Sequence, residues 1–193
     1  REPLIASRTD YSQATGRLAL ADVTHGRNMA GIAPGEIKKL LLLETLPKPA
    51  NFSGGQEPLT IGGTFTLQRI LGTVPVEADG SASFEVPALK SVFFVALDGE
   101  GDSVKRMHSF VTVQPGEMVS CVGCHEPRTQ APPSRRNPRL LATARPASHI
   151  APIQGMPDIL DFARDVQPIL DRHCVRCHTI RKRPKGINLS GDR

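Results

Sequence analysis

Apolar and polar positions between Leu59 and Val113 alternate, or run apolar for a few residues, between turn residues. That rhythm predicts β-strands. Thr64–Leu71 alternates and is rich in β-formers. Val74–Glu77 leads into Ala78-Asp79-Gly80-Ser81, whose Asp-Gly pair predicts a tight hairpin. Ala82–Val86 returns and stops at Pro87, and Ser91–Leu97 reads as a buried strand closed by Asp98-Gly99-Glu100-Gly101. Val104–Val113 forms another strand, ended by Pro115-Gly116. Upstream, Arg17–Val23 fits one short strand. Ile37–Glu44 is continuously apolar in its centre, the pattern of a strand buried on both faces, and Pro47 and Pro49 end it because proline cannot donate to a ladder. A polar Gly-rich loop, Asn51–Glu57, follows. The expectation is a β-meander within a mainly β, sandwich-like domain.

The pattern then changes. Residues 127–157 interleave Pro132, Pro133, Pro138, Pro146, Pro152 and Pro157 with Arg135, Arg136, Arg139 and Arg145. This composition buries too little apolar surface to fold alone, so it reads as a linker, or a strap across the domain surface, with a boundary near 157. From Asp161 to Cys177 the period becomes helical, with Phe162, Val166, Ile169 and Leu170 on one face. Pro168 suits a first turn, which makes Asp165 the expected N-cap. The predicted organisation is a β-rich domain over 1–126, a linker over 127–157 and a short, incomplete helical segment over 158–193.

Two motifs end the two structured parts. Cys121-Val122-Gly123-Cys124-His125 and Cys174-Val175-Arg176-Cys177-His178 share the Cys-x-x-Cys-His pattern and use all four cysteines of the chain. This is the attachment signature of c-type haem. Two thiols at that spacing can add to the two vinyl groups of one porphyrin, and the adjacent imidazole supplies the proximal iron ligand. The predicted cofactor-binding residues are therefore Cys121, Cys124, His125, Cys174, Cys177 and His178, with His125 and His178 on the irons of two covalent haems. A helix running into such a motif is how a small cytochrome c domain begins. His25, Met29, Met107, His108, Met118, His149, Met156 and His173 are the candidates for second axial ligands, each also readable as a core or solvated side chain. Met107 and His108 are neighbours on a strand, so only one of them can face a given side.

Two other readings compete for the cysteines. A single zinc site of four cysteines is possible, but zinc-ribbon pairs lie about 15 to 20 residues apart, and the histidine after each pair would be unexplained. Thiol–disulfide exchange usually needs a βαβ context that this pattern does not offer.

The formal net charge is +5, with a pI near 9.3. Two haems bring four propionates, so the positive balance does not point to nucleic acid. A solvated face, or arginines paired with propionates, accounts for it. No apolar run approaches the roughly 20 residues of a membrane helix, and the longest block is Leu40–Leu43. The start at Arg1 and the stop soon after a motif predict a soluble piece of a longer protein. Haem attachment at this motif takes place outside the cytoplasmic membrane, which predicts a periplasmic or otherwise extracytoplasmic location.

The segments Gly72–Ser81, Phe93–Asp98, Pro115-Gly116-Glu117 and Ser120–Glu126 together resemble the middle domain of the hydrazine synthase alpha subunit and related multihaem proteins of planctomycete-type bacteria. The resemblance covers roughly residues 17 to 128. Asp161–Leu170 with His173–His178 resembles a planctomycete-type cytochrome c domain. These likenesses imply a β-propeller upstream, the rest of a cytochrome domain downstream, and redox subunits or proteins as partners. They also imply a catalytic first haem and an electron-passing second one. In the family, a tyrosine four residues past the first motif histidine is expected on the iron, leaving the histidine to a zinc ion. Thr129 stands at that position here, and the one tyrosine is Tyr11. The leading expectation is a dihaem electron-transfer fragment of a larger oxidoreductase. The alternatives are a five-coordinate haem catalysing redox chemistry on a small nitrogen compound, and a zinc-stapled structural module.

Overall fold

A computed structural model describes residues 9–27, 29–47, 68–124, 139–182 and 184–191. The chain divides into two compact units, Arg1–Met156 and Pro157–Arg193.

The first unit is two β-sheets around one apolar core. Strand β1 (Thr15–Asp22) is the middle of a three-stranded sheet. It pairs antiparallel with β4 (Ala82–Pro87) and parallel with β7 (Met118–Gly123). The other sheet has the order β3-β2-β5-β6, built from Gln68–Pro75, Lys39–Thr45, Val92–Leu97 and Ser103–Arg106. Alternation does the packing: Leu18 and Leu20 of β1, Phe84 and Val86 of β4, and Leu40 and Leu42 of β2 all turn into the core. The rings of Phe84 and Phe94 meet edge to face at 5.6 Å, joining one sheet to the other.

Three expectations change. The strands do not form a meander: β3 and β4 are consecutive but belong to different sheets, so the Asp79-Gly80 turn is a corner between layers. Gly80 still takes the left-handed conformation, with φ of 79°, so the local turn chemistry holds while the pairing partner differs. Strand β2 is fully buried on one face only; Leu41 and Leu43 are half-buried. Its last buried residue is Glu44, whose carboxylate meets Arg69 and Lys90 at 3.1 Å each. The stretch predicted as one strand over 104–113 stops at Arg106, and Val111 rejoins β5 only as an isolated bridge to Val92. The Asn51–Glu57 loop and the first half of the Thr64–Leu71 strand lie outside the described residues.

Residues 139–156 run along the sandwich and belong to the first unit. Ser148 exchanges backbone bonds with Ser83 and Glu85 at the β4 edge, and Ala151 does so with Thr73 of β3. One strap thus satisfies the edges of both sheets, which otherwise present unpaired donors and acceptors. Gly72 makes this possible: a Cβ there would lie 2.3 Å from the Ala151 carbonyl oxygen. Side chains fix the strap's start. Arg145 bonds Glu77 and Ser148, the Ser81 hydroxyl accepts from the Ala142 N–H, and the Asp79 carboxylate accepts from the Leu141 N–H at 3.0 Å.

In the second unit, a π-helical turn over Phe162–Val166 runs into α1 (Gln167–His173). The cap is Asp161, which accepts from the Arg164 N–H, and not Asp165. The helical path starts a turn earlier than Pro168 suggests, so Asp165 reaches back to accept the Asp161 N–H and pairs with Arg164. The predicted apolar face is not buried: Phe162 is 60% and Ile169 59% exposed.

Two predictions follow from this packing. Phe84→Ala should cost about 3–5 kcal/mol, read from the urea midpoint with an unchanged slope. The second concerns Asp79. Partial burial pushes its carboxyl up, but bonds from Leu141, from the Ser81 hydroxyl and from the Ser81 N–H outweigh this and hold it below its ordinary value. A carboxyl lowered on folding stabilises in full above the unfolded value of 3.8 and loses that contribution as pH falls through the lower folded value. Amide exchange at Leu141 should therefore accelerate in acid, beyond the intrinsic pH dependence, and Asp79→Asn should abolish that extra step.

Candidate functional site

The first motif grows out of strand β7. Cys121 pairs in register with Leu20, whose side chain is in the core. Cys121 and Cys124 are half-buried and pack against that core. Because β4 takes the strap on one side of the three-stranded sheet, the thiols sit on its opposite edge.

The motif is held from β1 as well. The loop after β1 returns to it, and the Cys124 N–H donates to the His25 carbonyl at 2.7 Å. The approach is so close that neither side tolerates a side chain at the crossing. A Cβ on Gly26 would lie 2.0 Å from the Cys124 oxygen, and one on Gly123 would lie 2.1 Å from the His25 oxygen. Gly26 also has a φ of 147°, in the region that favours glycine. His125 and Thr129 lie outside the described residues.

The second motif caps α1. Cys174 is the C-cap, with its N–H on the Leu170 carbonyl, and the chain turns so that the Cys177 and His178 N–H groups both donate to the Cys174 carbonyl at 3.1 and 3.0 Å. Arg172 and His173 in the last helical turn complement the negative end of the helix dipole. The following loop then comes back: the Leu189 N–H donates to the His178 carbonyl at 2.9 Å, and the His178 ring Nδ1 lies 3.3 Å from the Ile187 carbonyl oxygen. A carbonyl only accepts, so Nδ1 carries the hydrogen and Nε2 keeps its lone pair for a metal.

Cys174, Cys177 and His178 are thus gathered in one turn, and none of the four cysteines is in a disulfide. Among the described residues, no three or more His, Cys, Asp or Glu side chains form a metal-ligand cluster. The other candidate ligands fall out by burial. Met29 is in the core and Met107 packs against it, whereas His108 and His173 are exposed and Met118 is 58% exposed. No helix among the described residues is long and apolar enough to cross a membrane. Two contacts had no sequence signal of their own: the His25 carbonyl on Cys124 and the Ile187 carbonyl on His178 are backbone groups. Gly26 beside His25 and Gly123 inside the motif were the only traces of the first.

The protein is a β-sandwich with a Cys-x-x-Cys-His motif leaving one edge strand, joined to a small helical unit with a second such motif. Residues 35–126 match the family described as the hydrazine synthase alpha subunit middle domain, and the chain resembles that domain. Among solved structures it is similar to Kuenenia stuttgartiensis hydrazine synthase, with a TM-score of 0.69 at 21% identity over 94% of this chain. The chain spans 31% of the length of that structure's chain. No curated protein matches it.

Gly26→Ala should destabilise the first unit by more than about 1 kcal/mol, since both the φ and the contact forbid a methyl group there. Thermal melting of the full chain checks this, with Gly31→Ala as the control: Gly31 also has a positive φ but has nothing within 4 Å of a built Cβ. The Gly31 variant should show the backbone strain alone and so a smaller shift.

Proposed function

We propose that this chain carries two covalent c-type haems and relays electrons within a larger, extracytoplasmic oxidoreductase that resembles the hydrazine synthase alpha subunit. Cys121 and Cys124 would anchor one porphyrin and Cys174 and Cys177 the other, with His125 and His178 as proximal ligands. Bound haem supplies a one-electron iron couple, whose potential the protein tunes through ligands, hydrogen bonds and burial.

The observation that carries this reading is the His178 ring. Its Nδ1 is tied to the Ile187 carbonyl, directly beside two thiols at the attachment spacing. The donor set fits haem better than zinc. A four-cysteine zinc site gives the histidines no task, and the second motif's own thiols and imidazole already lie in one turn. At the first motif, the apolar core against which Cys121 and Cys124 pack suits a porphyrin face. The two motifs offer unlike settings, a rigid sheet edge and a helix end. The resemblance of 161–178 to a cytochrome c domain supports assigning the second to electron relay.

A second reading, in which the first iron is five-coordinate and reacts with a small nitrogen compound, is favoured by the match over 35–126. The expectation against it is Thr129, where the family pattern has a tyrosine.

Expression with haem maturation, then a pyridine haemochrome spectrum, should give two haems per chain. Cys174→Ala with Cys177→Ala should leave one. Bound zinc without haem would falsify both haem readings, and a high-spin ferric signal surviving in the double variant would favour catalysis at the first site.

A further inference from the structure

The second unit is electrically divided. Its first part holds Asp158, Asp161, Asp165 and Asp171, with Arg164 bonded to Asp165. From Arg172 to Lys185 there are six cations, Arg172, Arg176, Arg181, Lys182, Arg183 and Lys185, and no Asp or Glu. The five of these that the structure describes, all but Arg183, are exposed, and none makes a salt bridge. The fold gathers them. Because Leu189 and Ile187 bond back to His178, the loop that carries Arg181, Lys182 and Lys185 closes on the motif flanked by Arg172 and Arg176. Ile180 and Ile187 stand on the same loop at 59% and 47% exposure.

We propose that this cationic collar around Cys174–His178 is the docking surface for an acidic redox protein. It rests on the dihaem reading for the word redox; the charge and its gathering stand without it. A haem's two propionates are too few to neutralise six cations. Four of the six are arginines, which bind carboxylates as planar forks and are enriched at protein interfaces. The exposed isoleucines supply the apolar contact that such interfaces have at their centre. Two other polyanions fit less well. Between residues 172 and 191 there is no aromatic side chain for bases to stack on. The collar also lacks the long amphipathic helix that lies on a membrane surface, since its regular structure beyond the motif is one short turn, Pro184–Gly186. Complementary charge raises the rate of encounter and is screened over about 10 Å at 0.1 M salt.

The test uses the full chain after haem maturation and a fluorescently labelled flavodoxin, an acidic redox protein, as the probe. Binding is read by anisotropy at low and high salt, and haem content is measured on the same preparation, so failure of the haem reading shows separately. Arg176→Glu/Arg181→Glu/Lys182→Glu should weaken binding at least tenfold and flatten its salt dependence. Lys38→Glu/Lys39→Glu/Lys105→Glu removes the same charge from exposed positions of the first unit and should change it less than twofold. Equal losses in both triple variants would show mere net-charge attraction and overturn the proposal. So would retention of the wild-type chain, at 0.15 M salt, on duplex DNA or anionic vesicles when flavodoxin does not bind.

Discussion

Strand β1 is the constraint on which the first unit depends. It is the only strand that β4 and β7 both pair with, so the three-stranded sheet exists through it alone. It joins segments far apart in the chain, with Arg17 opposite both Glu85 and Met118. Its inward residues Leu18 and Leu20 put that sheet onto the shared core, and its outgoing loop fixes the first motif through the His25 carbonyl. Loop-closure entropy grows only slowly with length, so the core's burial can carry such distant pairing.

Around that core, polar groups do what apolar area cannot. The strap has few apolar side chains to bury, and it is held by ladder bonds at Thr73, Ser83 and Glu85 and by Asp79, Ser81 and Glu77. Glu44 shows the same logic inside the four-stranded sheet. A buried carboxylate is costly unless paired, and here two cations from neighbouring segments meet it. These contacts fix which edge lies against which segment more than they add to stability.

Sequence periodicity revealed strands but not their partners. Leu18–Leu20, Ala82–Val86 and Val92–Leu97 were legible because alternation follows from a pleated, half-buried surface. That β3 and β4 part company at Asp79-Gly80 was not, since the turn residues encode a local φ and say nothing of the sheet that each arm joins. The Asp165 cap was misplaced because proline tolerance marks a helical first turn without excluding a turn before it. At the motifs, the spacing of the thiols and His178 was plain, being covalent chemistry written in side chains. Their supports at His25 and Ile187 are main-chain carbonyls, which any residue possesses, so they leave no mark beyond a neighbouring glycine.

The parallel pairing of β7 with β1 also has a consequence in time. Chain emerges in order, and β1 cannot meet β7 until residues 118–123 exist and the strands between them have found their places. Non-local contacts of this kind form late. The Cys121 and Cys124 thiols are therefore open while the sheet is incomplete and half-covered once it closes, whereas Cys177 stays exposed in the folded unit. On the haem reading, maturation of the first motif competes with folding and that of the second does not, so one chain carries one attachment under a deadline and one without.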